Sequence, residues 1–503
     1  MKNLVIAFTF ICITFGLKAQ ENLGPDSIRT NYLAAQKKIG KAFSDMFYPN
    51  FVKVHQLTEK DFTTKIDSAA NQFYTLLNTY KEKLPPAYVA AQQFEIKMYF
   101  DKILIEFPDT HETYSNERPR SYPIIENKIK GNQALFNDPS LLENSDLVPF
   151  IQAFLNYKIA KEMNKPVYRV LYNKRLYAQW HLMPKYFENQ QCRSFYRYRL
   201  LMDHISHNGI KYTAKLFASF KQECRDTALV AKLERVYRDS ENDLKDHRVV
   251  EYKKIGNYGL DLHIFEKGSA AKKDKKPLIV FFHGGSWSEG QASWHFQACR
   301  KYAEKGWIAC SVEYRIYGSQ GTLPFAAVMD ARSAIRWLRQ HGNELRIDTG
   351  RIVATGNSAG GHLVLATALA DGWNEKTDNL KFSPVPNVLL VNSGVYDLTD
   401  QKTAWIRKSL RNKDLVKGIS PNNLIRKHLP PTLLIHSAAD RNVPYASAQK
   451  FASLMQAAGN PIEFKTIQEG SHFIFDHPSF TPTVFAWRKE FLKRLGYPDS
   501  DGE

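Results

Sequence analysis

The sequence predicts two parts of different class: an all-α region over residues 20–247 and a mostly parallel α/β sheet with helices on both faces over residues 248–498. Three observations carry this. Up to about Asp246, apolar residues recur at helical spacing. After about Arg248 the period shortens to that of strands. Beyond the charged stretch AAKKDKK, short unbroken apolar runs alternate with helical stretches, as strands buried on both sides require. A chain of 503 residues exceeds one ordinary core, and 43% apolar residues suffice to fill two.

The first element is MKNLVIAFTFICITFGLKAQ, where Lys2 precedes an apolar run from Leu4 to Leu17 and Ala19-Gln20 follows. This reads as a secretory signal peptide over residues 1–19, because the run is shorter than the ~20 residues a spanning helix needs. Export to the periplasm or the exterior follows as an expectation, with no membrane span after cleavage. Cys12 has no small residues before it, which argues against lipid attachment there. Cys192, Cys224, Cys299 and Cys310 are too few for a disulfide framework and read as buried thiols.

The helical region has readable starts and stops. Thr58 opens TEKDFTTKIDSAANQFYTLLNTYKEKL with Asp61 three places on, a capping-box-like pair, and Pro85-Pro86 stops that segment. PAYVAAQQFEIKMYFDKILIEF, LVPFIQAFLNYKIAKEM, GIKYTAKLFASFKQE and TALVAKLERVYRDS follow as further helices, and no repeat period links them. His204 and His207 share a helix face but lack a third ligand, so they do not specify a metal site. CRSFYRYRLL reads as an amphipathic packing face.

In the second region VVEYKKIGNYGLDLHIFEK alternates as a hairpin, with its turn at Asn257 to Gly259. PLIVFFHGG, GWIACSVEY, RIVATGN, NVLLVNSG, PTLLIHSA and IEFKTI are strand-like. PFAAVMDARSAIRWLRQHG, GGHLVLATALA and ASAQKFASLMQAAG lie between them as helices. Ligands of such a sheet sit at the carboxyl ends of its strands.

That edge is where the chemistry collects. Gly356-Asn357-Ser358-Ala359-Gly360 follows a strand and opens a helix, the setting in which a sharp turn lifts a serine oxygen clear of the sheet. A serine hydroxyl needs a base to take its proton, and the base needs an acid to orient it. His472, in QEGSHFIF after the last strand, supplies the first and Asp440, in HSAADRNVPY, the second. Asp397, in SGVYDL, is the rival acid. The order Ser358, Asp440, His472 is the one this kind of sheet uses. His283-Gly284-Gly285-Ser286-Trp287 follows the first buried strand with the small residues that let amides approach a substrate oxygen. The N–H groups of Gly285, Ser286 and Ala359 are thus candidate oxyanion donors.

Composition and motifs exclude other classes. The formal charge of +18 is spread over the chain, about +8 before residue 248 and about +10 after it, and no nucleic-acid motif accompanies it. The chain lacks CxxC, HExxH and GxxxxGK[ST], so neither a metal nor a cofactor is expected.

With HGGSW, VEYR at Val312 to Arg315, LPFAAVMDARSAIRWL, IDTGRIVATGNSAGGHL, DRNVP and EGSHF, the span from about Val249 to Leu495 resembles an α/β-hydrolase of the hormone-sensitive-lipase and acetyl-esterase type, including its BD-FAE-like carbohydrate-esterase branch. The resemblance implies Ser358 as nucleophile, Asp440 and His472 as its partners, and the amides of Gly285, Ser286 and Ala359 around the oxyanion. Members commonly read HGGG and GDSAGG where this chain has HGGS and GNSAGG; neither change removes a catalytic atom. The expectation is an exported serine carboxylesterase acting on a small-molecule or carbohydrate ester, acetyl or feruloyl esters included. The segment Thr399 to Ser420, with Arg407, Lys408, Arg411 and Lys413, falls where such enzymes vary their substrate cover. The alternatives are a serine peptidase of the prolyl-oligopeptidase kind, whose usual front half is a β-propeller, and a non-catalytic binding protein. The helical region is expected to bind a protein partner or serve as scaffold.

Overall fold

The computed structural model describes residues 26–499 apart from 116, 118, 164, 170, 268–273 and 400–412. The signal segment 1–19 lies outside the described residues, as do Arg407, Lys408 and Arg411 of the Thr399–Ser420 stretch. Contacts divide the chain into two units. The first runs to Lys165 and includes Ala178–Arg197; the second comprises Pro166–Tyr177 and everything from Tyr198. This division differs from the 247/248 boundary drawn where the sequence period changes. Lys211 shows the reason: it lies ahead of the sheet in sequence, yet its ammonium sits 2.6 Å from the Asp261 and 2.6 Å from the Glu313 carboxylate. Local periodicity detects a change of element, while a unit is defined by which elements share contacts.

The helices ahead of the sheet are α1 (Asp26–Phe47), α2 (Phe51–His55), α3 (Glu59–Tyr80), α4 (Pro86–Tyr114), α5 (Pro123–Ile129), α6 (Leu147–Glu162), α7 (Pro166–Arg169), α8 (Lys174–Tyr186), α9 (Gln190–Asn208), α10 (Ala214–Glu223) and α11 (Thr227–Asn242). At the start of α3, Thr58 Oγ1 accepts the Asp61 N–H at 3.2 Å and donates to its carboxylate at 2.8 Å. The sequence reading ends α4 at Phe107, but the helix continues through Pro108 to Tyr114. Proline removes one N–H, and the buried face through Leu104, Phe107, Pro108 and His111 outweighs that loss. Phe107 stacks on Phe62 with ring centroids 3.9 Å apart. In the second unit α10 begins only at Ala214, because Gly209 takes φ +76° and ends α9.

Eight strands form one sheet: β1 (Arg248–Ile255), β2 (Tyr258–Glu266), β3 (Lys276–Phe282), β4 (Ile308–Val312), β5 (Ile347–Asn357), β6 (Val388–Asn392), β7 (Thr432–Ser437) and β8 (Ile462–Ile467). Their order is β1-β2-β4-β3-β5-β6-β7-β8. The β1–β2 and β2–β4 pairs are antiparallel, and all pairs from β4–β3 to β7–β8 are parallel. The hairpin turns at Gly256-Asn257 rather than Asn257 to Gly259, since Ile255 already pairs with Tyr258 and Gly256 takes the positive φ (+52°).

The following helices are α12 (Phe296–Glu304), α13 (Tyr317–Gln320), α14 (Pro324–Gln340), α15 (Ala359–Leu369), α16 (Lys413–Lys417), α17 (Tyr445–Ala457) and α18 (Thr481–Arg494). They fill two cores, one on each face. Leu278, Val280 and Phe282 of β3 join a core with α14, α15 and α17, whereas Ile279 and Phe281 join one with α12 and α18. That is why PLIVFF shows no polar alternation. Every residue of α15 is buried, which likewise explains why GGHLVLATALA has no charged face. The strand order and two-sided helical cover are those of the α/β-hydrolase fold. Because β3 to β8 run parallel, the loops after β3, β5, β6, β7 and β8 all emerge at one edge.

Candidate active site

Ser358 occupies the turn between β5 and α15 with φ 54° and ψ −120°, a conformation L-residues adopt only where surrounding structure enforces it. Two glycines make room for it. A Cβ on Gly360 would lie 1.9 Å from the Phe282 carbonyl oxygen, and one on Gly356 would lie 2.5 Å from the Gly360 carbonyl carbon. The Ser358 N–H donates to Asn392 O at 3.1 Å, which ties the turn to the neighbouring strand. The serine thus stands at the amino end of a fully buried helix, whose dipole favours negative charge there.

Asp440 and His472 meet. His472 Nδ1 lies 2.7 Å from Asp440 Oδ2, with both side chains buried. The other carboxylate oxygen accepts the backbone N–H groups of Asn442 at 2.8 Å and Val443 at 2.9 Å. Burial alone would raise the Asp440 pKa, but hydrogen bonds from His436 and His472, the His472 charge and the Val443 amide together hold it well below the usual carboxylate range. The carboxylate therefore stays ionised and leaves His472 Nε2 as the ring nitrogen open to a hydroxyl. Asp397, the rival acid, is engaged elsewhere: its Oδ1 accepts the Thr399 N–H at 2.8 Å and hydroxyl at 2.5 Å. Ser358 emerges at the same sheet edge as Asp440 and His472, though no hydrogen bond joins its Oγ to His472. Such contacts are often long in free enzymes and shorten when substrate binds.

The loop after β3 carries the candidate oxyanion donors. Gly285, Ser286 and Trp287 take φ of 97°, 53° and 55° in succession. The Gly285 carbonyl turns back to accept the N–H groups of Ser288 and Glu289, each at 3.0 Å. Among the described residues, the amides of Gly285, Ser286 and Ala359 donate to no protein acceptor, and Ala359 is completely buried. A buried amide without a partner, as at Ala359, is costly, while Gly285 and Ser286 are half-buried; an incoming oxyanion would take all three donors. His283 stacks on Tyr314 at 4.2 Å, and the tyrosine hydroxyl donates to His283 O at 2.7 Å. Burial lowers the His283 pKa to about 4, so this imidazole is neutral at pH 7.

Three features escaped the sequence reading. His436 closes the acid's shell, its Nε2 lying 3.2 Å from Asp440 Oδ2 while Tyr396 Oη approaches its Nδ1 at 3.3 Å. Its signal was a histidine inside the apolar strand PTLLIHS, four residues before Asp440. Asp330 is fully buried and binds the Arg315 side chain at 2.7 and 2.8 Å and Lys253 at 2.7 Å, with Glu375 completing the cluster. This network assigns the arginine of VEYR and the aspartate of MDAR a structural task, fastening the loop after β4 to α14 and β1. The third is the support of the oxyanion loop by α9, whose residues carry no signal that they meet it.

The histidine pair on α9 also has its place: His204 is buried, and His207 Nδ1 is 2.8 Å from Asp203 O. Among the described residues no group of His, Cys, Asp and Glu is placed to hold a metal, and no helix is long and apolar enough to cross a membrane. Among the described residues Cys192, Cys224, Cys299 and Cys310 form no disulfide, and all four are buried.

Residues 262–455 match the BD-FAE family model. Esterase LipQ of Mycobacterium tuberculosis is 26% identical over 231 residues, covering 43% of this chain and 54% of LipQ. Carboxylesterase NlhH of the same organism is 28% identical over 232 residues, covering 42% of this chain and 72% of NlhH. The chain thus spans about half the length of LipQ and more of NlhH. Among solved structures, the native esterase 2 of Thermogutta terrifontis is 31% identical, covering 52% of this chain and 96% of that one, with a TM-score of 0.48. The family match over residues 262–455, on a sheet of this order, makes the second half of the chain an α/β-hydrolase domain of the BD-FAE, hormone-sensitive-lipase esterase type, preceded by a helical region.

Proposed function

We propose that the protein is a serine carboxylesterase. The observation that carries this reading is the Asp440–His472 hydrogen bond of 2.7 Å at the sheet edge where Ser358 sits in its strained turn. His472 Nε2 takes the Ser358 proton as Oγ attacks the ester carbonyl, and the oxyanion falls to the amides of Gly285, Ser286 and Ala359. His472 then gives the proton to the leaving alkoxide, which departs as alcohol. Water, deprotonated by the same nitrogen, attacks the acyl-serine; the carboxylic acid leaves and Ser358 regains its proton. Asp440 holds the ring in the required tautomer throughout.

The similarity to BD-FAE and to named esterases supports ester over peptide substrates, and acetyl or feruloyl esters of carbohydrates are the finer reading. The leader-like residues 1–19 support export to the periplasm or exterior. The test is hydrolysis of p-nitrophenyl acetate and butyrate and of acetylated and feruloylated glycans, alongside labelling by a fluorophosphonate. Labelling and turnover by the wild type but not by Ser358→Ala is the expected result. A folded wild type that neither labels nor turns over any ester overturns the reading and leaves the binding-protein alternative.

A further inference from the structure

The oxyanion loop is costly to hold. Ser286 and Trp287, both with side chains, sit in the left-handed region next to Gly285, and Gly290 adds φ 121°. Each such non-glycine residue is strained, so the conformation persists only where neighbours over-determine it. Tyr317 N–H donates to Trp287 O at 2.8 Å and Gly318 N–H to Ser288 O at 2.8 Å, which secures one flank from α13. The other flank is secured from outside the part of the chain matching the hydrolase family. Gly290 N–H donates to His207 O at 2.8 Å, and the Gln291 side-chain amide donates to Ile205 O at 3.2 Å and Ser206 O at 3.0 Å. These are successive carbonyls in the last turn of α9, at the negative end of its dipole; Ile205 O also accepts the Gly209 N–H at 3.1 Å, while Ser206 O and His207 O are of the kind a helix end leaves short of partners. Gly209, which ends α9, lacks the side chain that would obstruct this approach: a Cβ there would lie 2.8 Å from Gln291 Oε1.

We propose that the carboxyl end of α9 clamps the oxyanion loop and that Gln291 is the positioning residue of that clamp, so that the segment ahead of the hydrolase domain sets the strength of its oxyanion stabilisation. This rests on the esterase reading for its kinetic consequence, and its structural half stands apart from it. A loosened loop still admits substrate but presents its amides poorly to the developing charge, so turnover falls while substrate binding holds.

The full-length protein, its Gln291→Met variant, which keeps the length and loses the donor, and Gln291→Lys, which restores a donor, are compared. The measurements are kcat and KM on p-nitrophenyl butyrate, and amide hydrogen exchange. In Gln291→Met, kcat is expected to fall about tenfold or more with KM within about twofold. Exchange should accelerate over residues 284–291 while β5 keeps its protection, and Gln291→Lys should recover part of both. Unchanged exchange in the loop overturns the clamp. So does loosening across the whole domain with a raised KM, since that marks mere structural damage. Should the wild type turn over no ester, the esterase reading falls alone and the exchange data still decide the clamp.

Discussion

At the scale of single residues, the site predicts sharp and different responses. Ser358→Ala should lower kcat by about 10⁴ or more with the melting temperature preserved, measured on a short-chain ester. Asp440→Asn should cost a similar factor while leaving the fold intact, because the amide can donate to His472 Nδ1 and select the wrong tautomer. His436→Phe removes one donor from Asp440 and should reduce kcat by about tenfold without abolishing it; an unchanged kcat would remove His436 from the acid's support. Gly360→Ala acts on structure: its methyl would meet the Phe282 carbonyl oxygen at 1.9 Å, between backbone segments that cannot yield. Loss of about 3 kcal/mol or more is expected in urea unfolding, or failure to fold.

At the scale of elements, buried charge and buried histidine define how the sheet unit answers substitution and pH. The Lys253 and Asp330 side chains, 3% and 0% exposed, lie 2.7 Å apart and join β1 to α14. Lys253→Met leaves the Asp330 carboxylate to Arg315 alone and should cost about 3 kcal/mol in chemical unfolding. The histidines His204 on α9, His283 after β3, His295 before α12 and His362 on α15 are all held neutral by burial, with pKa values lowered to about 3, 4, 3 and 4. In the unfolded chain they regain values near 6.5, so between pH 6.5 and about 4 the unfolded state binds the more protons. Stability therefore falls as pH drops through that window, by up to about 1.4 kcal/mol per pH unit for each histidine. Urea midpoints measured from pH 7.5 to 5 should fall accordingly, with a shallower slope in His362→Gln; a flat profile would contradict burial of neutral imidazoles.

At the scale of the whole molecule, the division of contacts matters more than the change of sequence period. A chain beginning at residue 248 loses Lys211, whose ammonium lies between the Asp261 and Glu313 carboxylates, and loses the α9 turn behind the oxyanion loop. Compared with a chain beginning at residue 166, it should melt several degrees lower, consistent with about 2–3 kcal/mol for removing the ammonium from Asp261 and from Glu313, which keeps His263 Nε2 at 3.6 Å. Equal melting temperatures would show that the sheet unit needs nothing ahead of β1.

Much of this was legible in the sequence. Period 2 against period 3.6, the two-sided apolar runs and the glycines flanking Ser358 are local properties, and each element of the sheet lies within a few residues of where those patterns put it. The candidate partners were legible by chain order, since parallel strands deliver their trailing loops to one edge. Which carboxylate meets His472 was decided only by the folded chain: Asp397 and Asp440 both follow strands, and only the fold shows that Thr399 takes the first while His472 and His436 converge on the second. The continuation of α4 through Pro108, the task of Asp330 and the meeting of α9 with Gln291 were likewise decided in three dimensions. Hydrogen bonds between residues 85 positions apart, such as Gln291 to Ser206, leave no periodic trace, because nothing in a linear pattern encodes which distant carbonyl will arrive beside a given donor.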